Sequence, residues 1–274
     1  MKYDLNKRTV VLTGASGGFG REIAKRLILS HGCRVVGIGR NEDKMAALKE
    51  ELKDKKELFS YKLFDVSDRA AWTDFAENLD CEPSVLINCA GILPEFKSFE
   101  KQSEESVFRV TEVNYLSAVT AIRHMMPKLT HSRDPMIVNI SSSSALCPVA
   151  GAAAYSASKA AFKSFSEALT AELDGKVRVF TVCPGFSITG IFRAQTEKMP
   201  ERSIMKYFST PTRKSRAKGS SRYGTRTQTA DLRRGRKTHE YRTPHCADAD
   251  AQTYAKNTDK IGRTDVQRHI RSKI

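Results

Sequence analysis

Thr9-Val10-Val11-Leu12-Thr13-Gly14-Ala15-Ser16-Gly17-Gly18-Phe19-Gly20 is the stretch on which the fold turns. An apolar run enters a glycine-rich turn, and a segment of helical period, Phe19–Ser30, follows it. A strand that ends in glycines and feeds a helix is the context a dinucleotide-binding loop requires. Gly14 allows the tight turn, Gly18 lets backbone approach a pyrophosphate, and Gly20 permits close packing of helix on sheet. Ser16 and Phe19 complete the turn, and phosphate oxygens would meet backbone N–H groups at the positive end of the helix dipole.

Working outward, the same alternation repeats. Thr9–Leu12, Arg34–Gly39, Leu58–Phe64, Val85–Asn88, Met136–Ile140 and Val177–Val182 read as strands. Phe19–Ser30, Glu42–Leu52, Arg69–Leu79, Ser103–Leu129 and Ala152–Leu173 read as helices between them. Strands this rich in Val, Ile and Leu have both faces covered. The expected fold is α/β, a doubly wound parallel sheet of the Rossmann type with six identifiable strands, and ligands in such sheets bind beyond the carboxyl ends of the strands.

The second strand ends in Gly39-Arg40, where a carboxylate would usually meet the ribose 2′-hydroxyl of NAD. Gly39 supplies none, and Arg40 can make charge-assisted bonds to a 2′-phosphate, so NADP is expected over NAD. Tyr155 and Lys159 lie four apart in a helix-forming run and share one face. A cation close to a phenol favours the phenolate, which predicts a lowered Tyr155 pKa suited to acid–base work. Ser142, thirteen residues upstream of Tyr155 and just after the strand-like Ile137-Val138-Asn139-Ile140, would hold the substrate oxygen.

The spacing T-G-x-x-x-G-x-G, with the residues that follow it in order, resembles the short-chain dehydrogenase/reductase family over roughly Lys7 to Arg193. In that resemblance Asp65 lies near the adenine ring, and Asn88-Cys89-Ala90-Gly91 is similar to the family's N-N-A-G segment, with Cys89 in place of the second Asn. It makes Asn114, Ser142, Tyr155 and Lys159 the catalytic set, with Asn114 anchoring a water that leads protons from Lys159 to solvent. Asn88, Ala90 and Gly91, then Pro184, Gly185 and Thr189, would border the cofactor, and Lys159 would also hold the nicotinamide ribose. The implied activity interconverts a small-molecule carbonyl and a secondary alcohol, in a homo-oligomer (dimer or tetramer) built through the two long helices Ser103–Leu129 and Ala152–Leu173. A catalytically impaired dinucleotide-binding protein is the alternative.

Composition bounds the rest. The 274 residues are 40% hydrophobic, enough for a substantial core, and no apolar run reaches the roughly 20 residues of a membrane-spanning helix. A cytoplasmic enzyme is expected, with no membrane partner. The net charge of +15 is unevenly placed: residues 1–200 hold 27 basic against 24 acidic side chains, and residues 201–274 hold 19 against 7. In those last 74 residues only Ile204, Met205, Phe208, Leu232, Ile261, Val266, Ile270 and Ile274 are Val, Ile, Leu, Met or Phe, too few for a core layer. Residues 1–200 therefore read as the folded domain and 201–274 as a basic, largely irregular tail that lacks the family's seventh strand. Two readings of the tail stand: a polyanion-binding arm over Arg213–Arg242, which is the one route to nucleic acid, or an out-of-frame translation that destroys hydrophobic periodicity abruptly. His239, His245 and Cys246 match no standard metal spacing, and no metal is expected.

Overall fold

The computed structural model describes residues 4–94 and 96–185. Six strands form one parallel sheet in the order β3-β2-β1-β4-β5-β6, with β1 at Thr9–Thr13, β2 at Arg34–Gly39, β3 at Phe59–Leu63, β4 at Val85–Asn88, β5 at Met136–Ile140 and β6 at Arg178–Val182. The helices are α1 (Gly18–His31), α2 (Glu42–Glu51), α3 (Arg69–Glu77), α4 (Glu104–Thr111), α5 (Ser117–His131) and α6 (Ala153–Leu173). The order reverses between β1 and β4, and Val10 of β1 pairs with Val35 of β2 on one side and Val85 of β4 on the other. That reversal opens a crevice at the carboxyl ends of the strands.

Pleating explains how two layers arise from near-continuous apolar strands. Val10 and Leu12 of β1 point into a core shared with Ala24, Leu27 and Ile28 of α1 and Met45 and Leu48 of α2. Val11, between them, points the other way, into a core with Trp72 and Phe75 of α3, Ile122 and Met125 of α5 and Leu169 of α6. Along the segment expected as one helix over Ser103–Leu129, Ile122 and Met125 are therefore core, whereas Leu116 is exposed.

Helix ends follow local chemistry. Gly32 adopts a left-handed conformation (φ 59°) and closes α1 after His31, its N–H donating to Ile28 O. Asn41 caps α2 by accepting from Lys44 N, and Asp68 caps α3 by accepting from Ala70 and Ala71 N. The helix expected over Ser103–Leu129 is divided: a π-turn at Glu112–Leu116 separates α4 from α5 and carries Asn114. The tail at 201–274, Thr189 and the question of a seventh strand lie outside the described residues.

Candidate active site

A cavity of about 290 Å³ runs along the strand ends, from the Gly14–Gly20 turn past Arg40 and Asp65 to Ser142, Tyr155, Lys159, Pro184 and Gly185. Its floor is glycine because nothing larger fits. Gly14 has φ +69°, and a Cβ there would lie 2.8 Å from Ala90 Cα; a Cβ on Gly20 would lie 2.1 Å from Gly14 O. A Cβ on Gly91 would lie 3.2 Å from Asn114 Oδ1 and 3.3 Å from Lys159 Nζ, so Gly91 leaves open the space beside both. Helix α1 starts at this cavity with no side-chain cap and no acid in its first turn, which leaves its first N–H groups for an anion. The elongated cradle, the uncapped helix start and a cationic rim at Arg40 fit a nicotinamide dinucleotide.

Thr13 stitches the two turns that flank the crevice. Its Oγ1 accepts from Cys89 N at 3.0 Å and Ala90 N at 3.1 Å, joining the end of β1 to the end of β4. Asn88 does not line the cavity; it is buried, and its Nδ2 donates to Asn139 Oδ1 at 2.9 Å, while Asn139 Nδ2 donates to Ser166 Oγ at 2.9 Å. That ladder locks β4, β5 and α6 beneath the site.

At the Tyr155 end, Ser142 and Tyr155 line the cavity together. Ser144, whose hydroxyl donates to Ser142 Oγ at 2.9 Å, orients Ser142 from behind. Burial pushes the Tyr155 phenol above its usual 10, and the Ser142 hydrogen bond pulls it back in part. This corrects the expected lowering by Lys159: burial dominates, and the opposing pull on the phenol comes from Ser142 and not from Lys159. Lys159 is 4% exposed, and burial lowers its pKa to about 8. Its Nζ donates to Ile140 O at 3.1 Å and lies 5.9 Å from the Phe162 ring centroid. An ammonium has three donors, and among the described residues this is its one hydrogen bond, so two remain for a ligand of the cavity that Lys159 lines.

Asn114 is buried in the π-turn, with both side-chain polar atoms engaged. Oδ1 accepts from Ile92 N at 2.7 Å, and Nδ2 donates to Ile92 O at 2.9 Å and Ser158 Oγ at 3.2 Å. It thus fixes the chain just after Gly91 against α6. Ser143 N donates to Pro184 O at 2.8 Å, which draws Pro184–Gly185 to the serine cluster.

At the other end, Arg40 pairs with Asp65 at 3.1 Å, and Arg109 of α4 pairs with the same Asp65 oxygen at 2.5 Å. Burial raises the Asp65 pKa, but hydrogen bonds from Ser67 and Arg109 outweigh it and hold the carboxyl at about 2. Thr13, Arg109 and Ser144 are absent from the set expected from sequence. Only Ser144 carried a local signal, as part of the serine cluster.

The sequence model of the short chain dehydrogenase family matches residues 8–200. The chain belongs to that family. It is accordingly an oxidoreductase of the nicotinamide-dependent kind. An NADP-dependent 3-hydroxy acid dehydrogenase of Escherichia coli (strain K12) is 33% identical over 180 residues, covering 64% of this chain and 71% of that protein. A serine 3-dehydrogenase of Agrobacterium fabrum is 29% identical over 203 residues, covering 71% of this chain and 78% of that one. Among solved structures, serine dehydrogenase from Escherichia coli aligns with a TM-score of 0.60 at 31% identity, covering 65% of this chain and 82% of that one. The closed form of serine dehydrogenase complexed with NADP+ aligns with a TM-score of 0.66 at 29% identity, covering 74% and 82%. Among the described residues, no helix is long and apolar enough to cross a membrane.

Proposed function

We propose that this short-chain dehydrogenase uses NADP(H) to interconvert a carbonyl and a secondary alcohol, with Tyr155 as the general acid and base. The observation that carries the proposal is the convergence of Ser142, Tyr155 and Lys159 on the same cavity as the glycine turn and Arg40. Convergence of residues distant in sequence is what a catalytic arrangement needs, and a chance Y-x-x-x-K pair would not supply it.

Bound cofactor would supply or accept the hydride at the substrate carbon. Gly14, Ser16, Gly18, Phe19 and Gly20 would hold its phosphates, Arg40 its 2′-phosphate, and Ala90, Gly91, Pro184 and Gly185 would border its rings and sugars. Ser142, already oriented by Ser144, donates to the substrate oxygen and holds it against Tyr155. Tyr155 delivers its phenolic proton to that oxygen in reduction and takes it back in oxidation. Two free N–H donors let Lys159 bind a ribose hydroxyl, and its charge steadies the phenolate as it forms. Asn114 keeps Ile92 and Gly91 in place, and a water beside it returns the proton from Lys159 to solvent.

Hydroxy acids with a 3-hydroxyl, serine among them, are the first substrates to try, since the similar dehydrogenases carry those names. NADP+ reduction in the presence of such acids, compared with simple secondary alcohols, tests the class. Tyr155→Phe should cut turnover by about 10²–10⁴ with cofactor affinity retained. Unchanged turnover in Tyr155→Phe contradicts the proposal.

A cytoplasmic homo-oligomer, dimer or tetramer, belongs to the same proposal. Phe108 of α4 and Leu116 in the π-turn are 65% and 40% exposed, apolar area that a second copy would cover; sedimentation of wild type and Phe108→Glu reads it out. The division at residue 200 is likewise proposed, supported by the end of the family match at that residue. Translating the coding DNA in its other frames past codon 200 separates a polyanion-binding arm from a shifted frame.

A further inference from the structure

Ser142 has no lone pair left to give. Its Oγ accepts one hydrogen bond from Ser144 N at 3.2 Å and another from the Ser144 hydroxyl at 2.9 Å. A hydroxyl carries two lone pairs and one proton, so both acceptor positions are taken and only the proton remains to be offered. Burial fixes the direction of the second bond. Ser144 is 1% exposed, and among the described residues its hydroxyl has no hydrogen-bond partner except Ser142 Oγ. Reversing the bond would strand the Ser144 proton in the interior without an acceptor, an arrangement native structures avoid. The Ser142 proton, by contrast, has an outlet, because Ser142 lines the cavity together with Tyr155.

We infer that Ser144 is a positioning residue that makes Ser142 a donor-only hydroxyl, able to stabilise negative charge on an oxygen in front of it and unable to take up a proton there. The inference deepens the reading above and rests on it for the identity of that oxygen, which belongs to the substrate or to Tyr155. A donor-only Ser142 favours a carbonyl, alkoxide or phenolate oxygen. It offers the Tyr155 proton no acceptor, which leaves that proton for the substrate. Two physical effects strengthen the bond that Ser142 donates. The Ser144 hydroxyl polarises the Ser142 O–H, as in any chain of hydrogen bonds. Its grip also holds the rotor in one staggered well of three, which spares a statistical cost of about threefold when an acceptor arrives. In keeping with this orientation, Ser142 pulls the Tyr155 phenol down against the burial that raises it.

The test uses the full chain without cofactor or substrate and reads the acidity of Tyr155 directly. Uniform labelling with 3-fluorotyrosine makes every phenol more acidic and gives each a fluorine resonance; that of Tyr155 is the one lost in Tyr155→Phe. Ser142→Ala should weaken Tyr155 as an acid about tenfold, through loss of one charge-assisted hydrogen bond. Ser144→Ala should weaken it about threefold, because Ser142 keeps its proton but loses the polarising donor and the fixed rotamer. In the Ser142→Ala background, Ser144→Ala should change it by less than about 1.5-fold, since nothing remains for Ser144 to orient. Lys159, the charged group lining the same cavity, is intact in every variant. Ser144→Cys, which puts a weaker donor in the same place, should fall between serine and alanine.

Unchanged acidity in either Ser142→Ala or Ser144→Ala overturns the inference. So does an equal weakening by Ser144→Ala with and without the Ser142 hydroxyl, which reduces Ser144 to general packing. A more acidic Tyr155 in Ser144→Ala also overturns it, because the Ser142 proton would then have been directed at Ser144. Should Ser144→Ala fail to fold, Ser144→Cys in the two backgrounds decides on the same terms. A wild-type chain that turns over no hydroxy acid or ketone with NADP(H) sinks the reading above, an outcome distinct from these, since the titration involves neither.

Discussion

At one end of the cavity Lys159 is 4% exposed and contacts a backbone carbonyl and a ring face; at the other, the Arg40 side chain is 66% exposed and is held by a carboxylate. Desolvation governs the first, lowering Lys159 to about 8 and raising Tyr155. Hydrogen bonds from Ser67 and Arg109, with the charge of Arg109 behind them, govern the second, keeping Asp65 at about 2. The chemical end should therefore respond to pH and hardly to salt, and the adenine end to salt and hardly to pH above about 4.

The largest expected effect falls at the buried end. Lys159→Met should lower kcat/KM by about 10²–10⁴ in steady-state assays with NADPH, while affinity for adenosine 2′,5′-bisphosphate stays within about twofold. Equal losses in both would mean that the two ends are not separable.

Gly20→Ala comes next. Its Cβ would lie 2.1 Å from Gly14 O, against backbone that has nowhere to go, so α1 must move off the sheet. Urea unfolding should show a loss of about 2–3 kcal/mol and dinucleotide affinity should fall with it, whereas Gly32→Asn, at the other end of α1, should do neither. Gly32 has φ +59° with nothing within 4 Å, a conformation asparagine tolerates.

Stability against pH separates the ends more finely. The unfolded Lys159 keeps its proton to about 10.5 and the folded one gives it up at about 8, so above pH 8 the native state binds fewer protons and gains stability. From about pH 8 the thiols oppose this, since Cys89 is pushed up to about 11 from 9.0 and burial raises Cys33, Cys81 and Cys183 as well. The thiols act alike in both proteins, so between pH 8 and 9 wild type should gain about 1 kcal/mol relative to Lys159→Met in urea unfolding. A difference between the two that stays constant with pH would show that Lys159 is not desolvated.

The smallest effect is at the exposed end. Raising NaCl from 50 to 500 mM should weaken adenosine 2′,5′-bisphosphate binding several-fold, and Arg40→Ala should remove most of that dependence without altering the pH profile of stability. Salt dependence that survives Arg40→Ala would place the phosphate elsewhere.

How far the sequence could be read follows the same division. The ranges of β2, β4 and β5 coincide with those expected, because covered strands are continuous Val/Ile/Leu runs bounded by polar residues. Tyr155 and Lys159 were legible because one helical turn is a local relation. Arg109 was not: it lies 44 residues from Asp65, and only packing of α4 against the β3 end brings them together. The π-turn around Asn114 was missed for another reason, since one extra residue per turn leaves the apolar periodicity of Ser103–Leu129 nearly intact. The Tyr155 shift went the other way because spacing shows that a cation is near and says nothing of how much water is lost.

The central claim is that the Tyr155 hydroxyl stands where hydride is exchanged. A crystal structure of the NADP+ complex measures it directly, as the distance from Tyr155 Oη to C4 of the nicotinamide. A hydrogen-bonded carbonyl oxygen between them and a near-attack carbon limit that distance to about 6 Å. A value within that limit, with Ser142 Oγ facing the same point, is the result expected; an Oη turned away and about 10 Å or more from C4 would contradict the account.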